Sequence, residues 1–362
     1  MIKYILLACF LPVMCFGQSV SSVSGTVADG ESVTISGSSF GTKPTAAPVA
    51  WDNLEDGTCN TTATVGTWSS TTLLEINSDN NRATNSSYNA YHDFDGNDGA
   101  EAYAVFRGGS DSPSWYVSYW FMLGPNWDWG TIHDSLGNIK ILRMWTTGSD
   151  NENFKVNTQG TYDVLWNDEY CDPSMLSSSN GNSYMGWTNF ENEMDDGEWH
   201  HIQFVYSESS GIGVADGTAE FYFDGDLIAY DYGIITDCGA SGADSRPMIV
   251  GFYDSHAQTN NDGANDFYID DVYIDNSWAR VEIGDNATYA NCTHREIQIP
   301  TAWSATSITI DANQGSFATD DAAYLFVVDA DGNVSDGYAV TIGASESPII
   351  TAPTNLTATK VE

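Results

Sequence analysis

Residues 196–207 read DGEWHHIQFVYS, and this stretch decides the fold of the region around it. Ile202 and Phe204 alternate with a more polar set of residues, which is the period-two pattern of a half-buried β-strand. The Asp-Gly pair before it is typical of a turn. Because successive strand residues point to opposite faces, His200 and His201 cannot both bind one metal ion.

The same alternation recurs along most of the chain. It is found in WYVSYWFML (115–123), KILRMW (140–145), AEFYFDGDLIAY (219–230) and SITIDA (307–312), each bounded by Gly, Asn, Asp or Ser. Convincing amphipathic helix patterns are absent from the sequence. The sequence therefore predicts an all-β fold, built as an antiparallel jelly-roll sandwich plus a small immunoglobulin-like β-sandwich.

The N-terminus reads MIKYILLACFLPVMCFGQ, with one basic residue, an apolar run and a small residue at the end. This order is typical of a secretory signal peptide, and the run is too short to span a bilayer as a helix. We expect residues 1–17 to be removed by cleavage after Gly17. No later segment is apolar enough to insert into a membrane, so the expected location is secreted and extracellular.

The formal net charge is −39, with 50 acidic residues against 11 basic ones. Such a charge disfavours nucleic acids and anionic membranes, because proteins bind both by placing Lys and Arg on phosphates. The plain interpretation is a solvated acidic surface that keeps the protein soluble. The functional interpretation is binding of cations, chiefly calcium.

Two of the six cysteines lie in the signal peptide, which leaves an even number in an exported chain. An even number in that setting predicts two disulfides, with three connectivities open. None of the four has the Cys-x-x-Cys spacing of a zinc site. The expected pairs are Cys171–Cys238 and Cys59–Cys292.

Residues 18–50 and 279–343 flank the tryptophan-rich region 51–278 with short, clean strands, and 344–362 reads as a linker. GESVTISGSSFG resembles the early strand and turn of an IPT/TIG domain, an immunoglobulin-like sandwich. The rest of that pattern follows only much later, in VEIG, AWSATSITI and AYLFVVDADGNVSDGYAVTIG. The resemblance implies one IPT/TIG-like domain split by an insertion, which sandwich loops tolerate. The alternative is two incomplete strand pairs that pack on the middle domain.

The middle region resembles the concanavalin A-like lectin/glucanase sandwiches, including laminin-G-like modules. The resemblance rests on DGEWHHIQFVYS, GTAEFYFDGDLIA and FYIDDVYID, in the order in which that family carries them. In FYFDGDLIA, Gly225 can supply the positive φ of a hairpin turn between two alternating strands. The resemblance implies a sandwich with a concave groove where glycans bind.

With Ile202 and Phe204 toward the core, His201 and Gln203 take the other face of their strand. Scarce basic residues lie near aromatic ones in the neighbouring strands, a combination that suits an acidic polysaccharide, because aromatic rings stack on sugars and Arg binds carboxylate. The alternative is an ordinary solvated sheet face. The candidate ligand-binding residues are Tyr116, Trp120, Arg143, Trp145, Lys155, His201 and Gln203.

Catalysis is the second possibility for the same groove. The Glu-x-Asp-x-x-Glu string of glucanases is absent, and the acidic cluster at 191–198 has the wrong spacing. A polysaccharide lyase needs one group to neutralise a uronate and another to remove its proton. His201, Tyr116, Arg143 and Gln203 are residues of the right types, but the local lyase motifs around them are missing.

Calcium is the expected cofactor, in a structural role. The resemblance implies a Glu from the first strand beside an Asp from the last, which fastens the ends of the domain, and hard oxygen ligands suit Ca²⁺. WDNLEDG and FYIDDVYID open and close the middle region. The candidate metal ligands are Glu55, Asp271, Asp52 and Asp270.

These observations predict a secreted carbohydrate-binding or adhesive protein, with an acidic polysaccharide as partner and with cell-surface or matrix contacts as a further expectation. Two alternatives stay open: a lyase that cleaves uronate-containing glycans by β-elimination, and a structural matrix or surface protein. We expect binding without catalysis. The deciding feature is whether His201 and Arg143 converge on one face.

Overall fold

The computed structural model describes residues 17–93, 102–108, 112–125, 127, 139–146, 153–159, 163–168, 183–189, 194, 196–234, 245–254 and 266–346. In chain order the strands are β1 (Ser19–Thr26), β2 (Ser32–Ser38), β3 (Ala50–Asp52), β4 (Val65–Gly66), β5 (Ser70–Thr72), β6 (Glu75–Asn77), β7 (Asn89–Asp93), β8 (Ala102–Arg107), β9 (Ser114–Leu123), β10 (Ile139–Thr146), β11 (Asn153–Gln159), β12 (Asp163–Asp168), β13 (Ser183–Asn189), β14 (His200–Ser207), β15 (Gly217–Phe223), β16 (Asp226–Ile234), β17 (Ser245–Asp254), β18 (Asp266–Asp275), β19 (Arg280–Gly284), β20 (Arg295–Trp303), β21 (Ser307–Asp311), β22 (Ala322–Val328), β23 (Tyr338–Thr341) and β24 (Ser345–Glu346). Within these residues the one helical element is a 3-10 turn at Tyr289–Asn291.

Strands from both ends of the chain lie in one eight-stranded sheet, in the order β23-β22-β19-β20-β21-β2-β1-β24. β20 connects two halves of this sheet, because its first part pairs with β19 and its second part with β21. The alternation in SVTIS fills the core, where Val33 and Ile35 are fully buried and pack with Ile308 and Leu325. Residues 17–49 and 279–346 share this core, and we call them the terminal sandwich.

Residues 50–275 form a second sandwich, which we call the middle sandwich. Its seven-stranded sheet has the order β13-β12-β11-β10-β17-β8-β5, and its nine-stranded sheet contains β16-β15-β14-β9-β18-β3-β4 with β6 and β7 attached. Trp115 and Phe204 of the nine-stranded sheet pack in one core with Leu142 and Met144 of the seven-stranded sheet. The predicted all-β sandwich architecture is confirmed.

β14 is buried on both of its faces, and only its last residue is partly exposed. Ile202 and Phe204 belong to the core of the middle sandwich, as the alternation predicts. On the opposite face, Val205 packs in a separate apolar cluster with Ile297 and Ile299 of β20. The terminal sandwich therefore covers part of the outer face of the nine-stranded sheet, and this contact determines which surfaces remain open.

The predicted Asp-Gly hairpin joins β15 to β16. Asp224 and Gly225 have φ values of 48° and 87°, which fits the two positive φ angles of a type I′ turn. The Asp224 carboxylate accepts hydrogen bonds from the His201 backbone N–H at 2.8 Å and from His200 Nδ1 at 2.8 Å. Burial opposes protonation of His200, but Asp224 and Asp196 raise its pKa. His200 therefore stabilises the turn between β15 and β16.

The expected disulfide between Cys59 and Cys292 is wrong, because both cysteines are free thiols. Cys59 packs against the core of the middle sandwich. Cys292 Sγ lies 3.3 Å from the carbonyl oxygen of Asn286 in the terminal sandwich. Burial, together with the charge of Asp52, raises the pKa of the Cys59 thiol to about 12, so this thiol stays protonated. Cys171 and Cys238 lie outside the described residues.

No helix in the described part of the chain is long and apolar enough to cross a membrane. The signal peptide at 1–17 lies almost wholly outside the described residues, so export stays a prediction.

Candidate functional site

His201 lies on the outer face of the nine-stranded sheet, beneath the terminal sandwich. Its ring stacks on Trp120, with centroids 4.6 Å apart and planes 11° apart, and its Nε2 is 2.8 Å from Ser118 Oγ. Burial, followed by the positive charge of Arg295, lowers the pKa of His201 to about 3. The imidazole is therefore neutral at physiological pH and is enclosed between two sandwiches.

A buried cluster of ion pairs also contacts Trp120. The Arg82 guanidinium lies 4.6 Å from the Trp120 ring centroid. Its Nη1 donates to Glu296 of β20 at 2.5 Å, and its Nη2 pairs with Asp271 of β18. All three charged side chains are at least nine-tenths buried. Arg82 thus joins the middle sandwich to the terminal one.

A second buried cluster is centred on Glu282 of β19. Its carboxylate accepts hydrogen bonds from Tyr116 Oη at 3.0 Å, Gln203 Nε2 at 2.9 Å and Tyr289 Oη at 2.5 Å. Arg280 Nε lies 3.2 Å from Glu282, and its guanidinium covers the Tyr116 ring at 4.1 Å. Burial raises the pKa of Glu282, but Arg280 and then Arg295 outweigh it and lower the pKa to about 2.

The predicted groove is therefore divided between two surfaces. Tyr116, Trp120, His201 and Gln203 lie on the outer face of the nine-stranded sheet, whereas Arg143 belongs to the seven-stranded sheet. Because its neighbours Leu142 and Met144 fill the core from the other side, Arg143 has the alternate position on the outer face of its own sheet. Arg143 and His201 therefore do not converge on one face, and the predicted lyase site of Arg143, His201, Tyr116 and Gln203 is wrong.

Arg143 instead begins a row of polar residues across four strands of the seven-stranded sheet. It pairs with Lys155 of β11, which pairs with Asn167 of β12, which pairs with Tyr184 of β13. Lys140 and Trp145 lie on β10 with Arg143. The side chains of Lys140, Trp145, Lys155, Asn167 and Tyr184 lie outside the described part of the structure, so the row is defined by backbone register alone.

Three of the four predicted calcium ligands line one small pocket of about 40 Å³, namely Glu55, Asp270 and Asp271, together with Arg82. The fourth, Asp52, accepts a hydrogen bond from Trp68 Nε1 at 3.0 Å, and burial raises its pKa to about 6. The Glu55 carboxylate accepts from Ser86 Oγ at 2.7 Å and from the backbone N–H of Ser87 at 2.9 Å. Among the described residues, no three His, Cys, Asp or Glu side chains form a ready cluster for a metal ion.

Sequence reasoning missed the charged residues of the terminal sandwich that close this face. The signal was present, because RVEIG (280–284) and REIQI (295–299) place Arg and Glu inside otherwise apolar strands. Arg280, Glu282, Arg295 and Glu296 are all at least nine-tenths buried. Ionised side chains in such positions need partners. Arg280 pairs with Glu282 of its own strand, whereas Glu296 pairs with Arg82 and Arg295 donates to Gln203 of the nine-stranded sheet.

We predict that Glu282→Gln removes part of the acid sensitivity of folding. Glu282 has its folded pKa lowered to about 2 from an ordinary 4.5, so its stabilisation is complete above pH 4.5 and is lost as the pH falls toward 2. Between pH 5.5 and pH 3 this one group accounts for about 2 kcal/mol of the free energy of unfolding. Urea unfolding at both pH values measures the difference.

The exposed Glu31→Gln serves as the matched control and keeps the wild-type acid sensitivity. An unchanged pH dependence in Glu282→Gln would show that Glu282 is not ionised against Arg280 and Arg295.

No family model matches the chain, and no curated protein sequence matches it. Among solved structures it is similar to an endo-β-1,4-glucuronan lyase from the fungus Trichoderma reesei, with 14% identity, a TM-score of 0.43, and 60% of this chain and 93% of that chain covered. It is similar to the alginate lyase Aly36B, with 13% identity, a TM-score of 0.43 and coverage of 64% and 98%. It is also similar to the binding domain of Paraclostridial Mosquitocidal Protein 1, with 10% identity, a TM-score of 0.40 and coverage of 78% and 77%. These values are too low to assign the chain to a family or an activity, and the concanavalin A-like and IPT/TIG resemblances stay predictions.

Proposed function

We propose that this chain is an exported carbohydrate-binding protein, and that it holds an acidic polysaccharide on the outer face of its seven-stranded sheet. One observation carries the proposal: Arg143 and Lys155 are direct cross-strand partners. The chain has only 11 basic residues against 50 acidic ones, so two cations in adjacent register positions are unusual for it.

A carboxylate bound at this pair would be attracted by two adjacent cations, and Arg can bind it through two parallel hydrogen bonds. Asn167 and Tyr184 extend the row with groups that bond to sugar hydroxyls. A polymer of uronic acids offers a carboxylate on every unit and hydroxyls between them.

We expect the protein to bind polyuronates more tightly than neutral glucans, and Arg143→Gln and Lys155→Gln each to weaken that binding by about tenfold. Binding should also weaken as salt is raised, because salt screens exposed charges. Titration calorimetry with defined uronate oligomers, calcium present, measures both effects.

Ala305→Glu is the control, since it makes the same change in net charge at an exposed position of the terminal sandwich. If the control and Arg143→Gln lose the same affinity, the loss comes from the change in net charge and not from a contact made by Arg143. Binding to no acidic or neutral polymer would contradict the proposal and favour the structural or adhesive alternative.

A lyase is the second candidate, and the same row favours it. Arg143 would neutralise the uronate carboxylate and the Asn167 amide would donate a hydrogen bond to it, while Lys155 and Tyr184 are groups that transfer protons. In the β-elimination, a base takes the proton at C5, the C4–O4 bond breaks, the O4 leaving group takes up a proton, and a C4=C5 double bond forms.

The lyase hypothesis predicts that polyuronate incubated with the protein gains absorbance near the ultraviolet edge, and that Tyr184→Phe removes this signal while binding is kept. Arg143→Gln should weaken the binding and reduce the absorbance signal. No absorbance change across several uronate polymers, at a protein concentration where binding is saturated, would leave binding as the function.

Calcium at the pocket of Glu55 and Asp270 is part of the same proposal. Burial, followed by the negative charge of Asp271, raises the pKa of Asp270 well above its ordinary value, so this carboxylate lacks sufficient positive charge around it. Arg82 already neutralises Asp271, which leaves Glu55 and Asp270 as the oxygens that fit a cation. Bound calcium would hold the first and last strands of the middle sandwich together.

We predict that calcium added after chelation raises the melting temperature of the wild type by a few degrees, and that Glu55→Gln loses this increment. Glu31→Gln is the control and should keep it. Because Glu55 also bonds to backbone N–H groups, the measured quantity is the difference with and without calcium in each variant. If calcium raises the melting temperature of Glu55→Gln as much as that of the wild type, calcium does not bind at Glu55.

A further inference from the structure

Two tyrosines are left open to solvent on the edge strand of the nine-stranded sheet. Tyr230 and Tyr232 of β16 are 59% and 54% exposed. Their ring centroids are 5.2 Å apart and their planes differ by 31°. Among the described strands, β16 pairs with β15 alone and so forms the edge of this sheet. Large aromatic rings that are mostly exposed side by side are typical of binding surfaces rather than of ordinary surface.

The pair is connected to the interior through Glu220 of β15. Tyr232 Oη donates to Glu220 Oε1 at 2.7 Å, and Tyr222 Oη donates to Glu220 Oε2 at 2.7 Å. Glu220 also lies directly across from Tyr230 in the strand register. The carboxylate therefore fixes two phenol groups and stands between the exposed tyrosines and the space behind them.

That space is a cavity of about 230 Å³ between the nine-stranded sheet and the terminal sandwich. At about 30 Å³ for one water molecule, it has room for seven or eight waters, which is the space of one sugar unit. Aromatic and polar side chains share its wall, among them Tyr116, Gln203, Glu220, Tyr222, Trp278 and Arg280. Aromatic walls with a few fixed polar groups are the usual lining of a small-molecule site.

The charges around the cavity disfavour an acidic ligand. Arg280 is paired with Glu282, and Arg295 donates to the Gln203 side-chain oxygen at 2.7 Å. Glu220 and Asp331 add two carboxylates to the wall. Carboxylates accept hydrogen bonds from sugar hydroxyls but repel uronates. The ligand that fits both the tyrosines and the charges is a neutral saccharide.

We propose that the cleft formed by Tyr230, Tyr232 and the cavity behind Glu220 is a second carbohydrate site, specific for a neutral glycan chain. Sugar rings stack on the two exposed tyrosines, and a terminal or branching unit enters the cavity and donates hydroxyl groups to Glu220. This site is on the opposite sheet from Arg143 and is independent of the polyuronate site. A protein with both sites would bridge a neutral and an acidic polymer.

The test measures binding of neutral β-glucan and mannan oligosaccharides by titration calorimetry and by the fluorescence of Trp278 and the other tryptophans. The expected result is binding of at least one oligosaccharide, weakened about tenfold by Tyr230→Ala or Tyr232→Ala. Glu220→Gln should also weaken it, since the amide keeps one acceptor oxygen only. Ile212→Ala removes a side chain that is 66% exposed elsewhere, and it should bind like the wild type.

Arg143→Gln separates this proposal from the polyuronate site, because it should leave neutral-sugar binding unchanged. Absence of binding to every neutral oligosaccharide would overturn the proposal. So would a doubled mass in sedimentation that Tyr230→Ala abolishes, because the tyrosines would then be the interface with a second copy of this chain.

Discussion

The ionised side chain of Glu282, buried where the two sandwiches meet, is the interaction on which the rest of the structure depends. It accepts hydrogen bonds from Tyr116 and Gln203 of the middle sandwich, and Arg280 compensates its charge from its own strand. A buried carboxylate without such partners would be strongly unfavourable, so each sandwich completes the other. This contact covers part of one outer face of the middle sandwich, and the outer face of the seven-stranded sheet is the surface proposed for the polysaccharide.

Period-two geometry predicts which residues of a strand share a face, but only the tertiary structure shows what covers each face. Alternation in β14 correctly separates Ile202 and Phe204 from His201 and Gln203, and the Asp224-Gly225 turn is visible in the sequence as a hairpin. Alternation cannot tell whether the second face meets solvent or another domain. Burial of both faces in β14 comes from Ile297 and Ile299, which lie almost one hundred residues later in the chain.

The sequence predicts the site residues less well than the fold, because the site depends on which strands and domains meet. Arg143 and His201 are residue types that suit a glycan site, yet they lie on different sheets. A local sequence pattern does not indicate which strands share a sheet. Arg82 comes from a connecting segment between β6 and β7 and has no periodic signal at all. The pairing of Arg143 with Lys155 depends on the register of β10 against β11, which includes an irregularity after Lys140.

The most direct test of the central claim is lysine footprinting by acetylation and mass spectrometry, with and without a saturating uronate oligomer. The chain has few lysines. Lys140 and Lys155 are on strands of the proposed binding surface, whereas Lys360 lies near the C-terminus. If the polysaccharide lies on the seven-stranded sheet, the oligomer slows acetylation of Lys140 and Lys155 and leaves that of Lys360 unchanged. Unchanged rates at Lys140 and Lys155 under saturating ligand would contradict it.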